Sequence, residues 1–436
     1  LGIRFAGAIA LLLLLGLVFN PTAKVESLLS DEEQLAWEED INTLVARMEQ
    51  MHPDLYFSIS EADFQSAVED VLSRLDKLSS DQVVLEIMKL VALINDGHTW
   101  LLPHQSALNY EIFPLRLYQF SDGFFVTDAI AEYQSAIGLE LVAIGKTDIE
   151  AITEQLSSLV AHDNAMTVRE RLPQFILTAG ILAAADIIEG PTSATFTFEQ
   201  SDGTQVQLEL SLIPTSDYFE FLQPATSFTE IFPLMLPQDE NVLYRSNMPS
   251  NFWSTTLEES NVLYVQYNAV QSVSVNEGSY ISISAFSNEL QEILDKDLVD
   301  RVIVDLRHNL GGDIGTFGPL FNLLADHPSL RQPNSVYLLI GRRTYSAAGI
   351  FTDRLRARTS VVLVGEPSGA GLRFYADNRG VILPKSRIEV RVSSRSYISA
   401  RDDFRPWHEP DLLIEASSSD YFAGRDPVLQ AALDED

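Results

Sequence analysis

The run Val302-Ile303-Val304-Asp305-Leu306 offers almost no polar face, so as a strand it must be covered on both sides. It sits in a rhythm that repeats down the second half of the chain. Asn261 to Tyr267 reads as a strand, Ser284 to Leu294 as a helix and Phe317 to Ala325 as another. Val336 to Ile340 is again a strand, Ala347 to Arg358 a helix and Val361 to Val364 a strand. That alternation predicts an α/β domain over residues 255–436.

The first half has a different rhythm. Over 28–103 apolar residues recur at helical spacing: Leu35, Ile41, Leu44, Val45 and Met48, then Phe64, Val68, Val71, Leu72 and Leu75. Ser80-Asp81 is the expected cap of a third helix, which Asn95-Asp96-Gly97 ends, so this stretch reads as an N-terminal helical domain. Residues 104–250 read as a mixed α+β region. Strands are expected near 124–127 and 139–144, a helix over 149–160, and a hairpin about Ser201-Asp202-Gly203. The Pro-, Ser- and Asn-rich stretch 214–253 is expected to wrap a surface.

Ahead of these, Arg4 precedes the apolar run Phe5 to Phe19, closed by Asn20-Pro21. Residues 1–24 thus read as a secretory signal peptide or an uncleaved membrane anchor, and export to the periplasm, cell surface or medium is expected. Cysteine is absent, which excludes disulfides, thiolate metal sites and a cysteine nucleophile. The net charge of −33 lies entirely before Arg301, because basic and acidic residues balance after it. Such a front half argues against a nucleic-acid partner. No His pair stands at ligand spacing and His-Glu-x-x-His is missing, so neither metal nor cofactor is expected.

Two turns at strand ends are the places for chemistry. In Asp305-Leu306-Arg307-His308-Asn309-Leu310-Gly311-Gly312 the paired glycines expose backbone N–H groups as an oxyanion site requires, though a Gly-Gly after a strand is commonly just a tight turn. In Gly341-Arg342-Arg343-Thr344-Tyr345-Ser346-Ala347-Ala348 a hydroxyl stands at a helix start, in the positive field of its amides. Ser before Ala-Ala is equally an ordinary N-cap. Arg342, Arg343 and Arg373 are open to two readings, ligands for a peptide C-terminal carboxylate or solvated loop residues.

Taken in order, Leu93-x-x-Asp96-Gly97-His98-Thr99, Asp305-Leu306-Arg307-x-Asn309-x-Gly311-Gly312, Ser346-Ala347-Ala348, Val364-Gly365-Glu366-Pro367-Ser368-Gly369 and Glu409-Pro410-Asp411 resemble the C-terminal processing (tail-specific) serine peptidases. The nearer likeness is to their tricorn-core and interphotoreceptor retinoid-binding protein branch. The resemblance implies a crotonase/ClpP-like α/β catalytic core, a peptide or unfolded-protein substrate, and Ser346 as nucleophile. It implies oxyanion donors at Gly311, Gly312 and Ala347. No lysine follows Gly365-Glu366 until Lys385, so His98 is the expected base, imidazole being suited to proton exchange near neutrality. Asp96, Glu366, Asp402, Asp403 and Glu409 are candidates to orient it, and Glu409 is the choice. Residues 125–159 faintly resemble a PDZ module, possible in degenerate form. Two other readings stay open: an inactive ligand- or peptide-binding protein on this scaffold, and a crotonase-like enzyme.

Overall fold

The computed structural model describes residues 27–435 apart from 224–230, 258–259, 277, 297–298 and 399–402. The segment read as signal or anchor, residues 1–24, lies outside the described residues, and so does Asp402. Among the described residues no helix is long and apolar enough to cross a membrane.

Three helices come first: Asp31–Met51, Glu61–Ser73 and Ser80–Ala92. Each is entered through a serine (Ser30, Ser60, Ser79) whose hydroxyl accepts a first-turn amide. The third cap is Ser79 rather than the expected Ser80. Gln82 reaches back to the Ser79 amide and closes a capping box, whereas three residues after Ser80 stands Val83, which cannot. The helix stops where Asn95 turns left-handed, with φ of 54°.

An antiparallel sheet follows, with path order Leu115–Phe120, Gly123–Ala129, Glu140–Ile144, Ser193–Glu199 and Gln205–Ser211. Between its strands lie the expected helix, Ile149–Ser157, and a further one, Ala165–Ile176. The latter carries Pro173 in its body, a residue that reads as a helix breaker. Asn164 starts it by accepting the amides of Met166 and Thr167. Helices and sheet share one apolar core, to which Ile41, Met48, Phe64, Ile87, Phe113, Val126, Phe196 and Phe198 all contribute.

The second sheet runs Leu412–Leu413, Val362–Gly365, Val336–Ile340, Arg301–Asp305, Val262–Tyr267 and Phe252–Leu257, parallel except for the last, antiparallel edge. That edge strand begins inside the stretch expected to be irregular. Val302, Val304, Leu338 and Ile340 face a core with helices Ile283–Leu294, Gly318–Asp326 and Ala347–Arg358. Ile303, Tyr337, Leu339 and Val364 face helix Pro427–Asp434. Cover on both faces is why these strands carry apolar residues at successive positions. The architecture is thus N-terminal helices, an antiparallel sheet and a mostly parallel sheet within an α/β region.

One hairpin crosses between the two parts. Strands Arg379–Ile382 and Glu389–Val392 belong to the second half, yet Val381, Leu383, Val390 and Val392 are buried in the first core. The buried Asp40 carboxylate accepts the Lys385 and Ser386 amides, each at 2.8 Å. The Ser393 amide donates to Thr99 Oγ1 at 3.0 Å, tying down the loop that carries His98.

Candidate active site

Strand Val336–Ile340 runs into a turn that delivers Ser346 to the start of helix Ala347–Arg358. Ser346 has φ 53° and ψ −121°, a conformation that an L-residue adopts only under strain, at a cost of about 1–3 kcal/mol. Its side chain does not cap the helix. The N-cap reading is therefore corrected: at positive φ Ser346 lacks the extended backbone of a capping residue, and its hydroxyl accepts no first-turn amide.

The glycine turn lies against this serine. A methyl group built on Gly311 would meet Ser346 Cβ at 2.7 Å and Ala347 N at 2.8 Å, and Gly311 itself has φ of 101°. Asn309 shapes the turn. Its side-chain oxygen accepts the Gly311 amide at 2.9 Å, its side-chain nitrogen donates to Tyr267 O, and its carbonyl accepts the Tyr345 amide at 3.0 Å. The Gly311 N–H is thus already engaged, which corrects its expected role as a donor; what Gly311 supplies is the missing side chain. Its carbonyl accepts from Val270 N at 2.8 Å. Within that same peptide the Gly312 N–H points the opposite way, away from the Val270 amide. Neither the Gly312 nor the Ala347 N–H is engaged in a hydrogen bond among the described residues. The two unengaged amides thus belong to separate elements, the glycine turn and the helix start, that pack together at Ser346.

His98 reaches this region from the N-terminal half. Its ring stacks between Tyr345, at 4.7 Å between centroids, and Phe374, at 5.4 Å. Nδ1 lies 3.2 Å from the Tyr345 hydroxyl, on the residue directly before Ser346. Burial, reinforced by the Arg171 guanidinium, pulls its pKa down to about 4 against the opposing pull of Asp96 and Asp377. The buried Asp96 binds the whole loop. Its carboxylate accepts the His98 amide at 3.0 Å and the Thr99 hydroxyl at 2.6 Å, and lies 3.2 Å from His52 Nε2.

The other candidates lie elsewhere. Glu409 is exposed, and its carboxylate accepts from Trp407 Nε1 at 2.5 Å; no contact with His98 occurs among the described residues. Its place on the loop before strand Leu412–Leu413 puts it on Arg356's side of the helix, where its carbonyl accepts from that residue. The expected orienting role of Glu409 is corrected on that ground. Glu366 is a partly buried partner of Arg342, at 2.7 Å, and Asp403 pairs with Arg405 at 2.6 Å. Arg342 and Arg343 match neither reading of them, since both are buried, Arg343 against Glu170. Arg373 faces Asp54 at 3.8 Å. Asp305 and Arg307 of the first motif are also structural: Arg307 bridges Asp305 and Asp426 at the strand end.

Residues that the sequence reading passed over complete the site. Tyr345 and Asp163 flank the His98 loop, the latter accepting the Gly97 amide at 2.7 Å. Asp96, His98 and Asp163 each present one ligand atom within 4.8 Å of the others, so they are the candidate metal donors here. Most of their oxygens are already engaged, and only Asp163 Oδ2 is buried without a partner.

No family model and no curated protein sequence matches the chain. Solved structures do. Mature CPAF in complex with lactacystin matches with a TM-score of 0.62 at 12% identity, over 92% of this chain and 97% of that one. Mature CPAF alone gives 0.56 at 12%, over 92% and 96%. The tricorn protease is a weaker likeness, 0.39 at 13%, over 91% of this chain and 36% of that one. The fold is that of the C-terminal processing peptidases. It extends over roughly 90% of the chain.

Within this C-terminal processing fold three histidines are held neutral: His98, His308 and His408, each with its pKa pulled down to about 4, first by burial. In the unfolded chain each takes up a proton near pH 6.5, so their contribution to stability is complete above that value and is lost as pH falls toward 4. Asp163, raised to about 7 by burial and Asp96, has the opposite slope and offsets part of this. The net expectation is a melting temperature that drops between pH 7 and pH 5, with a slope reduced in His308→Gln. Thermal melts across that window check it, and a flat profile refutes it.

Proposed function

We propose that the chain is an exported serine peptidase that cleaves peptides or unfolded proteins through an acyl-enzyme on Ser346. One observation carries this reading: a serine in strained backbone, excused from capping its own helix and packed against a glycine turn, with the Gly312 and Ala347 amides unpartnered among the described residues. Such strain costs stability and is retained where it serves a site. In this mechanism Ser346 Oγ attacks the peptide carbonyl and its proton passes to His98 Nε2. The new oxyanion lies between the Gly312 and Ala347 amides, at the positive end of the helix. The imidazolium then gives the proton to the leaving amine, and water repeats the sequence on the ester. A depressed pKa keeps His98 neutral, as a base must be. Export rests on Arg4 and the apolar run after it.

A fluorophosphonate probe tests the reading directly. Labelling should map to Ser346 and slow by about 10²–10⁴-fold in His98→Ala, the range for a lost general base. Equal labelling of both proteins would remove His98 from the mechanism. An unaltered protein that neither labels nor cleaves an unfolded substrate would instead favour a binding protein on this scaffold.

A further inference from the structure

We infer that Tyr345 and Asp163 are the positioning residues for His98, in the place where Glu409 was expected. The inference rests on the peptidase reading above and specifies how its base is held.

An imidazole that accepts a proton at Nε2 needs its other nitrogen fixed as Nδ1–H by an acceptor. In this protein the atom within reach of Nδ1 is the Tyr345 hydroxyl, at 3.2 Å. A hydroxyl accepts there if its own proton is directed elsewhere. Asp163 lies beside it, since a single methyl group built on Gly97 would meet both the Tyr345 hydroxyl and Asp163 Oδ1, and Asp163 Oδ2 is a buried acceptor without a partner. In the inferred chain His98 Nδ1–H donates to Tyr345 Oη, whose own proton is directed toward the Asp163 carboxyl group.

The surroundings hold that chain in place. A methyl group on Gly97 would sit 2.2 Å from the Tyr345 hydroxyl and 3.1 Å from Asp163 Oδ1, so the absent side chain at 97 is what lets the three groups meet. The Gly97 amide fixes Asp163 Oδ1 at 2.7 Å. Arg171, which donates to the Gly97 carbonyl at 2.9 Å, lies over the Tyr345 ring at 5.5 Å. Burial and the nearby carboxylates raise the Tyr345 pKa well above its ordinary value, so the hydroxyl keeps its proton. Nucleophile and positioning hydroxyl are then consecutive residues on one turn. The Asn309 carbonyl anchors that turn through the Tyr345 amide.

The test is Tyr345→Phe, which removes one oxygen and keeps the ring stacked on His98. Nitrogen-15 histidine NMR reads the tautomer of His98, with its signals assigned as those missing from His98→Gln. The unaltered protein should show Nδ1–H as the major form, and Tyr345→Phe should shift it toward Nε2–H. With that shift kcat/KM for an unfolded substrate should fall about ten- to a hundredfold, mostly in kcat. Asp163→Asn keeps an oxygen for the Gly97 amide but replaces the acceptor offered to Tyr345 with an amide, and should give a smaller change in the same direction. An unchanged tautomer in Tyr345→Phe overturns the inference even if activity drops, because a purely structural defect would leave the ring nitrogen assignment alone. Full hydrolysis by Ser346→Ala would sink the peptidase reading instead, and leaves the tautomer result standing.

Discussion

A Ser346→Gly chain is expected to lose hydrolysis by four orders of magnitude or more and yet to melt at a higher temperature than the unaltered protein. The loss follows from removing the attacking oxygen, since the members of such a unit act together and deleting the nucleophile costs about 10⁶-fold in a comparable protease. The gain follows from the backbone. At φ 53° and ψ −121° a side chain is strained, whereas glycine accepts this region freely. Relief of about 1–3 kcal/mol is partly offset by glycine's greater freedom in the unfolded chain, of order 0.5–1 kcal/mol. Ser346→Ala should lose as much activity with no gain in stability. Melts of the two variants side by side, with fluorophosphonate labelling, decide the matter; a glycine variant that melts lower than the alanine one would mean the turn stores no strain.

Gly312→Ala should be the most damaging single methyl in the active-site turn. The new carbon would stand 2.2 Å from the Val270 carbonyl oxygen at φ of 138°, and the clash is with backbone, which cannot rotate aside. Val270 is itself pinned through Asp313 N, at 2.8 Å. A destabilisation beyond about 4 kcal/mol is expected, in the class of large effects from clash and forced backbone, together with loss of the amide direction on which oxyanion binding rests. Gly138→Ala is the control. Its φ is also positive, 86°, but nothing lies within 4 Å, so about 1–2 kcal/mol of conformational penalty is all it should show. Denaturant unfolding of the pair separates steric clash from dihedral strain, and equal losses would contradict the close packing of Gly312 on Val270.

What was legible in the sequence is what short-range physics writes there. The doubly covered strands announced themselves in Val302-Ile303-Val304, and helix Ala347–Arg358 lies where its spacing put it. Ser346 and the glycine turn could be singled out because strand ends, helix starts and paired glycines are local features. The cap expected at Ser80-Asp81 stands one residue earlier, at Ser79, since it is decided by which side chain three places on can reach back. Helix Ala165–Ile176 was missed because Pro173 reads as a breaker, while burial of the side chains on either side of it overrides that preference. The support of His98 was not legible at all. Tyr345 meets the His98 loop from 247 residues away and Asp163 from 66, and nothing in the spacing of either announces it. Glu409, picked from its motif, is placed by the strand that follows it and not by the imidazole.

The crossing hairpin, residues 379–392, has a consequence for the order of events during synthesis. It fills the core of the first half and its end amide clamps the loop of the base, but it leaves the ribosome after the serine does. A nascent chain halted before residue 379 has its nucleophile but lacks the wedge that seats the imidazole. If Ser346 and His98 act as proposed, hydrolysis is expected only from chains extended past residue 392, because in shorter ones the loop of His98 is not yet tied down.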